Sequence, residues 1–203
     1  MTLGFRFFAF WVRLGGRVFY RARAVGRENV PRTGAFILAG NHVSYLDPPV
    51  FGAFANGRDV HFMAKQELFS KPILRWLLPV VNAFPVNREG SARGPLMASL
   101  KLLRAGQSVG LFPEGRRNLD GEQDARLGVA WLANAAQVPV VPCAIAGTRD
   151  AKPFRTRVRL AFGPSIPPPP GGGKATKESL ASYTELVMNA IDALQKENDR
   201  RAD

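Results

Sequence analysis

Cysteine, histidine and acidic residues are all scarce in this 203-residue chain, and each shortage removes a class of explanation. The single cysteine, Cys143, allows no intramolecular disulfide, which fits a reducing compartment. Its apolar neighbours read as the setting of a buried, inert thiol. Only two histidines, His42 and His61, accompany it, far apart in sequence, so no metal site is expected. Long apolar runs are missing too: no segment reaches the roughly 18 residues that a spanning helix needs, and the chain is not expected to cross a bilayer. Arg13 and Arg17 interrupt the N-terminal segment, which also lacks a small-residue cleavage site, so no cleavable signal peptide is expected. The shortage of acid says most. Sixteen Asp and Glu stand against 28 Lys and Arg, a formal net charge of +12. A field of that sign draws polyanions, which leaves nucleic acid, an anionic bilayer surface or phosphorylated small molecules as partners.

What is present begins with an aromatic N-terminus, MTLGFRFFAFWVRLGGRVFY. At helical spacing Arg6, Arg13 and Arg17 share a narrow arc, with Phe5, Phe8, Trp11, Val12 and Phe19 on the opposite side. Rings that enter a headgroup boundary beside guanidiniums that meet lipid phosphates make an interfacial helix. A terminal helix packed on the domain is the alternative. Residues 1–20 are read as an amphipathic, membrane-associating helix.

Beyond it, strands are expected at 21–25, 35–40, 59–64, 83–87, 108–112, 138–145 and 157–162. Helices are expected at 48–55, 72–81, 92–104, 124–136 and 177–197. With 46% apolar residues the chain can pack one domain. The alternation predicts an α/β fold over 21–163, a mixed central sheet flanked by helices. The stretch SIPPPPGGGK places a Pro/Gly linker at 164–174. It leads to a C-terminal helix in 175–203, with Leu180, Tyr183, Val187, Ile191 and Leu194 on the face turned to the domain.

Chemistry-bearing residues gather at strand ends, where α/β folds build their sites. His42 and Asp47 lie five apart after the AFILAG strand, and Pro48-Pro49 turns the chain. A carboxylate folded back onto one imidazole nitrogen fixes the tautomer and frees the other nitrogen to take a proton. A loop histidine that only hydrogen-bonds locally fits the same spacing. Phe112-Pro113-Glu114-Gly115-Arg116-Arg117 closes another strand, with guanidiniums shaped for phosphate, or simply a charged turn. Lys65 and Arg88 close two more. Gly106-Gln107-Ser108-Val109-Gly110 has the serine-hydrolase pattern in the reverse context, entering a strand, so Ser108 is not a nucleophile. The aromatics cluster in the N-terminus and no helix reads as a groove-binding element, so no nucleic-acid partner is expected.

NHVSYLD followed by VNAFPVNR, FPEGRRN and VPVVPCAIAG resembles, block by block, the glycerolipid acyltransferases, in particular the 1-acyl-glycerol-3-phosphate acyltransferases. The resemblance covers roughly residues 25–165. It implies that His42 is the general base and Asp47 its orienting partner. It implies that Arg88, Glu114, Gly115 and Arg117 bind the glycerol phosphate end, with Lys65 of the AKQELF segment beside them. Arg116 stands where the family usually has Thr; it joins the substrate-binding set and leaves open another lyso-lipid or glycerol 3-phosphate as acceptor, with a non-catalytic anionic-lipid-binding protein as the alternative to an enzyme. Further implications are an acyl-CoA or acyl carrier protein co-substrate with no cofactor, membrane lipids as partners, and a peripheral or monotopic place on the cytoplasmic face of the membrane. The basic segment Arg149–Arg159 is available to headgroups or to the phosphates of CoA.

Overall fold

The computed structural model describes residues 3–87, 93–113, 122–171 and 174–202, with the side chains of 122–126 and 202 left aside. Chain order is α1 (Leu3–Tyr20), β1 (Arg23–Val25), β2 (Ile37–Gly40), α2 (Asp47–Phe54), β3 (Val60–Lys65), α3 (Pro72–Val80) and β4 (Ala83–Val86). It continues with α4 (Arg93–Arg104), β5 (Ser108–Leu111), α5 (Glu122–Ala136), β6 (Val140–Ala146), β7 (Arg159–Phe162) and α6 (Lys177–Ala202). The expected elements fall within a few residues of these bounds. The largest difference is α6, which runs on past 197 to Ala202 because Asn198 is buried and its Nδ2 donates to the Ala144 carbonyl.

The seven strands form one sheet in the order β1-β7-β6-β2-β5-β3-β4. Every neighbouring pair is parallel except β6 with β7. The C-terminal ends of β6, β2, β5, β3 and β4 therefore share one edge, and the mixed α/β sheet expected from the alternation is present. Residues on β2 and β6 are buried on both faces, as their unbroken apolar runs require of central strands. Leu38, Val141 and Cys143 face a core shared with α1 and α2; Ile37, Ala39 and Val140 face one shared with α4, α5 and α6. Ile166, inside the Pro/Gly stretch, exchanges both backbone hydrogen bonds with Val140 and so docks against the start of β6.

Helix α1 corrects one detail of the sequence reading. Phe5 and Ala9 are fully buried, Val12 packs beside them, and Phe8, Trp11 and Phe19 line a cleft. The aromatic side assigned to the lipid boundary is thus divided: Phe5 is core, whereas Trp11 and Phe19 keep about half of their surface exposed. A second apolar face, carrying Leu3, Phe7, Phe10, Leu14 and Val18, is exposed as well. Both faces are apolar, so periodicity could not tell which one meets protein.

Two glycines permit the close packing on which the sheet edge depends. A Cβ on Gly40, the last residue of β2, would lie 2.7 Å from Cys143 Sγ and 3.2 Å from Phe51 Cζ of α2. At Gly110 in β5 it would lie 2.0 Å from Phe62 Cε1, because that ring lies flat on the β5 backbone. Gly110→Ala should therefore lower stability by about 1–3 kcal/mol in urea unfolding. Unchanged stability would mean that Phe62 moves aside freely.

Candidate active site

At the end of β2 the chain leaves the sheet through Asn41, which is buried. Its Nδ2 donates to the Ile145 carbonyl at 2.9 Å, and its Oδ1 accepts from the Ile145 amide at 2.8 Å. The side chain thus copies one more rung of the β2–β6 ladder and sets the direction of the next residue, His42. Five residues on, Asp47 opens α2, and its side chain is completely buried.

An ionised carboxylate without solvent needs several donors. Asp47 Oδ2 accepts from the amides of Val43 and Ser44, each at 2.7 Å, and lies 3.0 Å from His42 Nδ1. Its Oδ1 accepts from Thr148 Oγ1 at 2.6 Å. Position in the first turn of a helix adds favourable dipole interaction, and Pro48-Pro49 stiffens the entry. The other end of α2 is held as well: Arg13 Nη1 donates to the Ala53 carbonyl and Arg27 Nε to that of Phe54. Burial, with Arg27 and Arg17 nearby, lowers the Arg13 guanidinium below the usual arginine range.

His42 is held from two directions. Nδ1 donates to the carboxylate, which leaves Nε2 as the acceptor nitrogen. One ring face stacks on Phe112 with centroids 4.2 Å apart and planes 19° apart, and Phe112 stacks in turn on Phe62. The imidazole keeps 17% of its surface exposed and lines a cleft of about 1220 Å³. Apolar residues of α1, α2, β3, α3 and α4 make up much of the wall, Phe8, Pro48, Met63, Leu77 and Leu96 among them. Lys65 lies on the same wall at the end of β3. A smaller recess of about 420 Å³, bounded by Val43, Ser44, Tyr45 and Arg149, also opens on His42.

The structure thus brings His42, Asp47 and Lys65 to one sheet edge. Arg88, Glu114, Gly115, Arg116 and Arg117 lie outside the described residues; Phe112 and Pro113, just before the last four, line the cleft. Sequence reasoning assigned no role to Asn41, Phe112 or Thr148. Only Phe112 carried a local signal, as the apolar start of its block. His61 lies in β3 with Nδ1 3.2 Å from the Ser108 carbonyl, and Ser108 Oγ accepts from the Phe36 amide. Cys143 is buried, its thiol pushed well above the usual range by burial and by the Asp47 charge. Among the described residues no group of three His, Cys, Asp or Glu could hold a metal.

Residues 21–146 match the model of a family described as "Acyltransferase". The 1-acyl-sn-glycerol-3-phosphate acyltransferase of Bacillus subtilis is 28% identical over 180 residues, covering 88% of this chain and 90% of that one. That of Streptococcus pneumoniae is 33% identical over 135 residues, covering 64% of this chain but 50% of the relative. The crystal structure of the 1-acyl-sn-glycerophosphate acyltransferase PlsC from Thermotoga maritima is 27% identical, with a TM-score of 0.67 over 94% of this chain and 78% of that one.

The hydrogen bonds around Asp47 predict unequal roles in stability. Asp47→Ala leaves two loop amides and a buried hydroxyl without an acceptor and should cost about 3 kcal/mol or more. His42→Ala removes a ring from a cleft wall and should cost about 1 kcal/mol or less. Chemical denaturation of both variants checks this; equal losses would show that the histidine, too, holds the loop.

Proposed function

Because the chain belongs to the acyltransferase family, and so is an acyl-transferring enzyme, we propose that it moves a fatty acyl group onto the sn-2 hydroxyl of lysophosphatidate, giving phosphatidate. The donor is the thioester of acyl-CoA or of an acyl carrier protein. One observation carries this reading above the others. His42, 3.0 Å from a fully buried carboxylate, opens on a large and mostly apolar cleft that also has Lys65 on its wall. The names of the relatives supply the acceptor, and the cleft's apolar walls suit substrates with fatty chains.

In this mechanism His42 Nε2 takes the proton of the acceptor hydroxyl as its oxygen attacks the thioester carbonyl. A C–O bond forms, the C–S bond breaks, and the imidazolium returns its proton to the departing thiolate. Asp47 stabilises the imidazolium and keeps Nδ1 protonated, as the acid of a Ser-His-Asp triad does, while the substrate hydroxyl takes the place of serine. General-base catalysis of this kind contributes roughly 10²–10⁴-fold, and two bound substrates gain further from orientation. Lys65, Arg88, Glu114, Gly115, Arg116 and Arg117 hold the acceptor's phosphate end. Arg116 is a reason to include other phosphorylated lyso-lipids and glycerol 3-phosphate among the acceptors tested.

Thiol release from acyl-CoA with lysophosphatidate, in wild type and in a folded His42→Ala variant, tests the assignment. Release that requires the acceptor, and falls by 10²-fold or more in the variant, is the expected result. Release that survives the substitution would remove His42 from the mechanism.

The same reading places the enzyme at a membrane surface, where its lipid acceptor resides. Among the described residues no helix is long and apolar enough to cross a membrane. The exposed face of α1 lies beside α3, where Ile73, Trp76, Leu77 and Val80 are exposed as well, and Val80 is the nearest side chain to Gly4 of α1. Exposed Arg6 and Arg17 flank the α1 part of this patch. An apolar surface edged with guanidiniums suits the boundary of an anionic bilayer. Phe7→Ser combined with Trp76→Ser should weaken co-sedimentation with phosphatidylglycerol vesicles roughly tenfold or more. Undiminished co-sedimentation would exclude this patch as the docking face.

A further inference from the structure

We propose that Thr148, which follows β6, is a positioning residue of the acyl-transfer site. It donates to the one Asp47 oxygen that His42 does not use, and so keeps both oxygens of the buried carboxylate behind the base hydrogen-bonded. The proposal rests on the reading of His42 as that base. It gives the apolar fourth block of the sequence a chemical part, because Thr148 comes just after that block.

The geometry is specific. Thr148 is buried, and its Oγ1 lies 2.6 Å from Asp47 Oδ1, the shortest of the four hydrogen bonds around this carboxylate. The two backbone amides and His42 all address Oδ2, so without the hydroxyl Oδ1 loses its bond. Three donors gather on one oxygen, so the Thr148 hydroxyl is the described donor that keeps the other, equally buried oxygen hydrogen-bonded. The contact also joins two segments 101 residues apart, so it ties the loop that carries His42 to the end of β6. Asn41 makes a parallel tie to Ile145 of the same strand. The histidine is thus referenced to β6 from the residue before it and from the carboxylate behind it.

Among the described residues few other titrating groups face the His42–Asp47 pair, and Tyr45 lines both the recess and the cleft beside His42. His42 faces Asp47 from the loop and Cys143 from β6, where burial and the carboxylate itself keep the thiol protonated. Arg149 and Lys65 border the recess and the cleft that His42 shares. Removing a donor from a carboxylate favours its protonated state. Loss of the Thr148 hydroxyl therefore makes the His42–Asp47 pair hold a proton more tightly, and the acid limb of the pH–rate profile moves to higher pH. Loosened packing alone would lower the rate at every pH and leave the limb in place.

The test compares Thr148→Val, nearly equal in shape, with Thr148→Ser, which keeps the hydroxyl. In Thr148→Val, kcat at neutral pH should fall roughly tenfold. The KM values for acyl-CoA and lysophosphatidate should stay unchanged and the acid limb should shift upward. Thr148→Ser should stay within about twofold of wild type, with the limb in its original place. If valine is not accommodated, Thr148→Ala asks the same question without added bulk. A second readout needs no turnover: NMR titration of His42, assigned against a His61 variant in a chain with only two histidines. An upward movement of the His42 titration in Thr148→Val supports the coupling even if the acceptor proves to be another lipid. An unmoved titration together with an unmoved acid limb, or a serine variant as impaired as the valine one, overturns the proposal.

Discussion

Much of this molecule is organised around one buried negative charge. Desolvating a carboxylate costs far more than a single hydrogen bond returns. Asp47 is tolerated at zero exposure because the chain around it converges on two oxygen atoms. That requirement shapes the local structure. The loop must curl so that the Val43 and Ser44 amides point inward, α2 must begin at Asp47, and β6 must end where Thr148 can reach. His42 is then held in one tautomer as part of the arrangement that neutralises the carboxylate. The bonds that neutralise the buried anion are thus also those that orient the partly exposed ring proposed to react.

The sheet decides what else can meet that ring. β2 lies between β6 and β5, and the connections from β2 to β3 and from β5 to β6 lead to opposite sides of it. Open α/β sheets form a crevice at such a reversal, outside the carboxyl ends of the strands. His42 occupies it, with Thr148 from the β6 side and Phe112 and then Lys65 from the β5 and β3 sides. The aromatic stack from Phe62 through Phe112 to His42 crosses the same strands, and it exists because Gly110 leaves room for the first ring. Backbone topology, a glycine and two phenylalanines thus deliver the imidazole to the cleft wall.

This explains why some of the site could be read from the sequence and some could not. The pairing of His42 with Asp47 is local, five residues across a strand end, so spacing and two prolines suggested it. Lys65 was visible as the cation closing an apolar strand. Asn41 and Thr148 were not, because their partners lie 104 and 101 residues away and nothing nearby marks the contact. The α/β class followed from the alternation of short apolar runs with helical periods. The strand order did not, since it depends on which crossovers bury which faces. Helix α1 shows the limit most clearly. Its Arg arc was legible, but two apolar faces flank that arc, and only packing against α2 decides which is core.

That division of α1 links the proposed membrane surface to the chemistry. One face of the helix lies in the core, beside Phe51 and Phe54 of α2, and Arg13 on its flank holds the last turn of α2 through the Ala53 carbonyl. The opposite face projects Phe7, Phe10 and Leu14 outward. Helix α2 begins at Asp47, so the proposed docking face and the element that carries the buried carboxylate lie on opposite sides of one helix. The cleft opens between them, with Phe8 and Trp11 of α1 on its wall near Pro48 and Val50 of α2. A fatty chain held in the cleft would, in the proposed reaction, lie along these residues towards His42. In the proposed reaction the acceptor's hydroxyl then needs only to sit at the mouth of that path, with its phosphate turned to the basic strand ends.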